Sequence, residues 1–170
     1  MPYLETVRLT VFPFGLDLLY AALEGPAIVE EMVHMNVPAD WPGPDIVAAL
    51  PSFIQQREQA PDQADWSVHL VARKADRTLI GFTGPNNGPP DGAGTVEIGY
   101  DILPAYQGRG YAVEATGAIV FWLWTQPSVR RIVADCAVDN AASIGVLERL
   151  AFIPQAPADG RLNWALTRED

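Results

Sequence analysis

Two glycines standing behind a strand and ahead of a long apolar stretch constrain this chain most. Thr95–Leu103 reads as a strand, and Gly110–Trp124 reads as a helix that Pro127 ends. Between them runs Pro104-Ala105-Tyr106-Gln107-Gly108-Arg109. Two glycines in a strand-to-helix loop let the backbone approach a ligand closely, and the first N–H groups of the helix point at it. The helix dipole adds positive potential there, so the loop suits a phosphate or pyrophosphate; the alternative is a plain tight turn. A P-loop needs Lys and Ser/Thr after its last glycine, but Tyr111 follows Gly110. A dinucleotide fingerprint needs a third small residue, where Val113 stands, and the first strand of a βαβ unit.

The rest of the chain supplies the context. Thr6–Phe14 alternates Val7, Leu9 and Val11 with Arg8 and Thr10, as a half-buried strand does. Helices are expected from Gly15 to about Leu23, over Ala27–Met35, and from Pro44 towards Arg57 with a break or restart at Pro51. Asn36–Pro44 and Gln59–Asp65 read as loops. Trp66–Arg73 and Thr78–Thr83 read as strands joined by Lys74-Ala75-Asp76-Arg77, with Gly84–Gly94 an exposed hairpin connection. Arg131–Val138 is expected as a strand, Asn140–Leu150 as a helix and Leu162–Leu166 as a closing strand. Consecutive strands with interleaved helices imply an α/β or α+β sheet of mixed direction.

Composition limits the partners. The chain has 170 residues, which predicts a single domain. Its net charge of −10 argues against nucleic acid as a partner, because phosphate contacts need a basic surface. Residues 1–65 carry ten acids against two bases, and the remainder is nearly balanced. Such a bias is either an ordinary solvated surface or an acidic rim that draws a cationic substrate. The single cysteine, Cys136, excludes an internal disulfide and fits a reducing compartment. His34 and His69 lie apart from it and from each other, so no metal site is expected. The chain opens without a basic leader segment, and its longest apolar run, Ala118–Trp124, is far too short to span a bilayer. A cytoplasmic protein with no membrane partner is expected.

Gln107, Gly110 and Ala112 spell Gln-x-x-Gly-x-Ala. This resembles the acetyl-CoA pyrophosphate motif of the GNAT superfamily of N-acetyltransferases, Arg/Gln-x-x-Gly-x-Gly/Ala. Downstream, Asn140-Ala141-Ala142-Ser143 and the exit Ala151-Phe152 resemble that family's second motif. Three features are similar to the RimJ/RimL branch, which acetylates N-terminal amines of ribosomal proteins: Glu5-Thr6-Val7-Arg8-Leu9-Thr10, Gly110-Tyr111-Ala112-Val113-Glu114-Ala115, and Ser143. The resemblance is specific over about residues 95–152. It implies a mixed, mostly antiparallel, splayed central sheet flanked by helices, with acetyl-CoA as donor substrate between the strands Thr95–Leu103 and Arg131–Val138.

The resemblance also assigns residues. Ile102 and Leu103 would pair with pantetheine like an added strand, and Gln107, Gly108, Arg109, Gly110, Tyr111 and Ala112 would hold the pyrophosphate. Asn140 would contact the pantetheine arm, or would simply cap its helix. Many GNAT enzymes place a general-acid Tyr seven residues after that Asn; here the position is Leu147, which excludes the Tyr mechanism. Ser143 becomes the candidate donor to the leaving thiolate, the alternative being a helix-capping role. Glu97, a carboxylate within a strand, is the candidate base, acting through water, or else a hydrogen-bonded structural residue. Asp101 shares its face about 13 Å away, too far for a paired-carboxylate mechanism. Glu114 in the first helical turn, Cys136 and both histidines read as structural. Trp41, beside Pro42–Pro44, would flank the acceptor site or anchor the core.

The implied reaction is direct attack of a primary amine on acetyl-CoA, with a protein or peptide N-terminal amine as first choice and a basic protein N-terminus as partner. The alternatives are a small-molecule amine such as a polyamine, amino-acid derivative or aminoglycoside, and a non-catalytic acyl-CoA-binding domain. A homodimer is compatible with either.

Overall fold

The computed structural model describes residues 3–168, apart from the side chain of Ala64. Eight strands form one sheet: β1 (Leu4–Glu5), β2 (Leu9–Pro13), β3 (His69–Arg73), β4 (Thr78–Pro85), β5 (Thr95–Ile102), β6 (Arg131–Ala137), β7 (Ile153–Pro154) and β8 (Arg161–Thr167). Their spatial order is β1-β2-β3-β4-β5-β6-β8-β7. Every pairing is antiparallel except β5 with β6. Parallel neighbours require a crossover, and α4 (Tyr111–Trp124) supplies it.

Helices cover both faces. On one, α4 and α5 (Ala141–Arg149) bury Ala115, Ile119, Leu123 and Leu147 against Val71, Ile80, Val96, Ile98 and Ile132. On the other, α1 (Leu16–Glu24), α2 (Pro26–Val33) and α3 (Pro44–Gln59) bury Leu19, Val29, Leu50 and Ile54 against Phe12, Leu70, Leu79 and Phe82. The alternation of β3 and β4 between these two sets is the period-two pattern of a sheet covered on both sides.

Four boundaries differ from expectation. The first strand is two: β1 pairs back on β2, and Thr6–Arg8 form the corner, where Thr6 Oγ1 accepts from Leu9 N at 3.0 Å. Val7 fits the alternation but is 93% exposed there. Helix α3 runs unbroken through Pro51. Val47, whose carbonyl loses its donor, and Pro51 both face solvent, so water can serve that carbonyl while Leu50 and Ile54 pin the helix inward. Pro61–Trp66 forms a 3-10 turn, and the following strand begins only at His69. The edge strand β7 has no sequence signal, being two residues long and exposed.

Candidate functional site

The sheet opens where β5 and β6 part. Their ladder covers only Thr95↔Arg131, Val96↔Ile132 and Glu97↔Val133. Beyond Glu97, β5 stays paired with β4 as far as Gly81↔Ile102, while β6 turns to β8 along its whole length. The edge of β5 from Ile98 to Ile102 therefore faces a gap rather than a strand. Gly81 makes the approach on the other side of β5: a Cβ there would lie 2.1 Å from the Asp101 carbonyl oxygen.

A cavity of about 540 Å³ occupies the mouth of this gap. It is lined by the end of β5 (Tyr100, Asp101, Ile102), the loop from Tyr106 through Gly110, the first turn of α4, and Asn140, Ala142, Ser143, Val146 and Arg149 of α5. Gly108 and Gly110 have φ of +71° and +80°, the left-handed region that glycine enters without strain. No side chain caps α4, so the N–H groups of Tyr111, Ala112 and Val113 are left for a ligand. An anionic pyrophosphate fits that cradle, and an extended pantetheine arm fits the unpaired β5 edge.

The loop is clamped from outside. Glu114 Oε1 accepts from Thr6 Oγ1 at 2.6 Å and Arg8 N at 2.8 Å, while Oε2 accepts from Arg8 Nε at 2.6 Å. Burial opposes ionisation of Glu114, but these bonds outweigh it and hold the carboxyl below its ordinary range. Arg8 also donates to the Arg109 carbonyl at 2.9 Å and stacks on Tyr111 at 4.5 Å. Gln107 Nε2 donates to the Ile102 carbonyl at 2.7 Å, tying the loop to the end of β5.

Of the residues expected at the donor site, Ile102, Gln107, Gly108, Arg109, Gly110, Tyr111, Ala112, Asn140 and Ser143 all line the cavity. Leu103 lies beneath it, 2% exposed, in the opposite core. Asn140 caps α5, its Oδ1 accepting from Ser143 N at 3.0 Å. Glu97 is half-buried at the point where the strands part, outside the cavity wall. Its two carboxylate oxygens accept from Asn86 at 3.2 Å and Asn87 at 3.0 Å. Trp41 is 2% exposed and packs against Phe14 and Phe82, at ring distances of 6.0 and 5.6 Å. Leu147 is fully buried, so that position of α5 belongs to the core.

Sequence reasoning passed over Tyr100, Arg149 and the cavity-wall position of Asp101. Burial, and then the Asp45 carboxylate, push the Asp101 carboxyl above its ordinary range, partly opposed by the Ile102 N–H. Tyr100 donates or accepts at Ser143 Oγ, 2.7 Å away, and reaches the Ser143 carbonyl at 3.2 Å. The only signal for Tyr100 was its place one residue before Asp101, at a strand end next to a ligand loop.

The acetyltransferase (GNAT) domain family matches residues 9–153. An uncharacterized N-acetyltransferase of Bacillus subtilis (strain 168), YjdG, is 30% identical over 153 residues, 90% of each chain. Among solved structures, the ribosomal-protein-S5-alanine acetyltransferase of Vibrio fischeri is 16% identical with a TM-score of 0.73, covering 100% of this chain and 98% of its own. RimL, a ribosomal L7/L12 α-N-protein acetyltransferase solved with coenzyme A held as a disulfide to a cysteine, is 17% identical with a TM-score of 0.70 over 98% of both chains. The structural likenesses show the fold; the family match and the Bacillus relative show the kinship. By the match over residues 9–153 and the likeness to the Bacillus relative, this chain belongs to the GNAT family of acetyltransferases and is an acyltransferase.

Proposed function

We propose that the protein moves acetyl from acetyl-CoA directly to a primary amine, and that its preferred acceptor is the N-terminal α-amine of a basic protein or peptide. The observation that carries the donor half is the gap after Glu97 set against an uncapped, glycine-entered helix. Arg109 and Arg149 on the cavity wall suit the anionic donor. The exposed acids Asp17, Glu24, Glu30, Glu31, Asp45 and Glu58 of α1–α3 suit a cationic acceptor on the opposite side of the sheet. Structural neighbours named for ribosomal L7/L12 and S5 acetylation lend support to a protein amine.

An α-amine with a pKa near 7.7–8.0 is neutral for about a tenth to a fifth of the time at pH 7, whereas a Lys amine is neutral for less than about a thousandth. An N-terminal acceptor therefore asks little of a base. In this mechanism the amine nitrogen bonds to the acetyl carbon, and the carbon–sulfur bond breaks with its electron pair on sulfur. Backbone N–H groups at the end of β5 polarise the carbonyl. Ser143 donates a hydrogen bond to the departing sulfur. Glu97, through water, or Asp101 takes the proton the nitrogen sheds, and the thiolate, with a pKa near 8.5, takes one from solvent or remains ionised. A cytoplasmic site of action belongs to this reading and fits a chain whose single cysteine, Cys136, is buried and leaves no internal disulfide to form.

The test is thiol release from acetyl-CoA with peptides of equal length carrying free or blocked N-termini, basic or neutral, beside a polyamine. The proposal expects the free, basic N-terminus to be fastest. Preference for the polyamine replaces it with the small-molecule reading. Binding of acetyl-CoA without thiol release to any amine leaves a non-catalytic domain.

A further inference from the structure

Ser143 is held from two directions. Asn140 Oδ1 takes its backbone N–H at 3.0 Å, and the Tyr100 hydroxyl meets its Oγ at 2.7 Å. Tyr100 and Ser143 come from different elements, β5 and α5, and both line the cavity where the two strands have parted. Helix α5 has no phenol of its own to offer, since residues 141–149 include no tyrosine and Leu147, one turn further on, is fully buried.

The proton inventory decides what such a pair can do. Each hydroxyl has one proton and two lone pairs. If Ser143 donates to Tyr100, the phenol proton goes to the Ser143 carbonyl at 3.2 Å, and nothing is left for a ligand. If Tyr100 donates to Ser143 Oγ, the serine proton is released to turn into the cavity. Left alone, a serine hydroxyl tends to bond to nearby backbone groups instead.

We infer that Tyr100 is a positioning residue for acyl transfer: its phenol donates to Ser143 Oγ and aims the serine proton at the departing sulfur. The inference rests on the acetyl-transfer reading above. Tyr100 neither gains nor loses a proton in this role. Burial pushes its pKa up to about 12, against the lowering effect of the Ser143 bond, and a thiolate near 8.5 is far too weak a base to deprotonate it. The pair thus stabilises charge on sulfur by hydrogen bonding rather than by proton transfer, and donors fixed in advance serve that purpose best.

The test is a double-mutant cycle on the full chain, reading single-turnover acetyl transfer to the preferred amine and, separately, acetyl-CoA affinity. Tyr100→Phe keeps the ring and removes the hydroxyl. It should slow transfer about tenfold with affinity changed less than twofold. Because Tyr100 acts through Ser143, Tyr100→Phe combined with Ser143→Ala should be no slower than Ser143→Ala alone. A wild-type rate in Tyr100→Phe overturns the inference, and so does a double variant slower than Ser143→Ala by the full tenfold. Should Tyr100→Phe not fold, 3-fluorotyrosine placed at position 100 alone makes the phenol a stronger donor with little change in shape. Faster transfer that disappears in Ser143→Ala supports the inference, and an unchanged rate overturns it. An active wild type with an indifferent Tyr100→Phe leaves the acetyl-transfer reading standing. A wild type that transfers acetyl to no amine removes that reading itself.

Discussion

Glu97 and Asp101 sit four residues apart on one strand, on one face, and meet different surroundings. Glu97 is bonded through both oxygens by asparagine amides, which fix the direction of its carboxyl group. Asp101 faces the cavity with fewer donors, under the influence of burial and of Asp45, both of which favour its neutral form. A base must be ionised to act, so the kcat/KM profile should rise with pH through the pKa of whichever carboxylate serves. Glu97→Gln should erase this acidic limb if Glu97 is the base, with Asp101→Asn leaving it in place. If Asp101→Asn erases it, the roles are exchanged, and the lost limb should lie above the ordinary aspartate range. Both residues could be singled out in the sequence as strand carboxylates. Their different surroundings could not, because Asn86, Asn87 and Asp45 reach them only through the fold.

The loop that cradles the donor depends on an element far from it in sequence. The β1–β2 corner places Thr6 and Arg8 on Glu114 across more than a hundred residues. Glu114→Gln keeps the shape but withdraws the charge from three donors. It should cost about 2 kcal/mol in urea denaturation, since hydrogen bonds to charged groups are the stronger ones. Acetyl-CoA affinity should fall with it, because the same clamp holds Arg109 and Tyr111. An unchanged midpoint and affinity would make the clamp decorative. Helix α4, a long apolar run between its entry glycines and Pro127, and the elements β5 and α5 were readable from residue pattern alone. The corner at Thr6–Arg8 was not, because its alternation continues through an exposed Val7. Pro51 misled for a related reason: the helix-breaking cost depends on whether the freed carbonyl meets water, and that is a property of packing.

Across the whole molecule, burial and charge are divided by face. His69 is fully buried between β2 and β4, and desolvation lowers its pKa to about 4, only partly opposed by the Ser67 backbone. The unfolded chain binds this proton below about 6.5 and the folded chain does not, so stability should drop as pH falls from 6.5 towards 4. The drop from this residue is on the order of 3 kcal/mol. A His69→Gln variant, compared with wild type by melting across that range, should show a flatter acid limb; parallel limbs would assign the acid sensitivity to other groups.

The charge division itself was visible in the sequence, but its placement needed the sheet: the acids cover the α1–α3 face, and Arg8, Arg109 and Arg149 surround the donor loop. Field-driven encounter is screened over about 8 Å at physiological salt. Hence kcat/KM for a basic peptide should fall as salt rises, and fall much less for a neutral peptide of equal length. Equal responses would reduce the acidic face to an ordinary solvated surface.

Acetyl transfer by this protein requires that the parted strands and the glycine loop form the acyl-donor site. Thermal melting of wild type and Gly110→Val, with and without acetyl-CoA, addresses that most directly. Valine at a φ of +80° is strained, and its side chain, with the Cβ 3.4 Å from Arg8 Nη2, would narrow the approach to the N–H groups of α4. Acetyl-CoA at a hundred times its Kd should stabilise the wild type by about 2.7 kcal/mol, seen as a clear rise in Tm. The Gly110→Val protein should melt lower and show no rise. A wild type whose melting is indifferent to acetyl-CoA, or a Gly110→Val variant that responds as fully as wild type, would contradict the assignment.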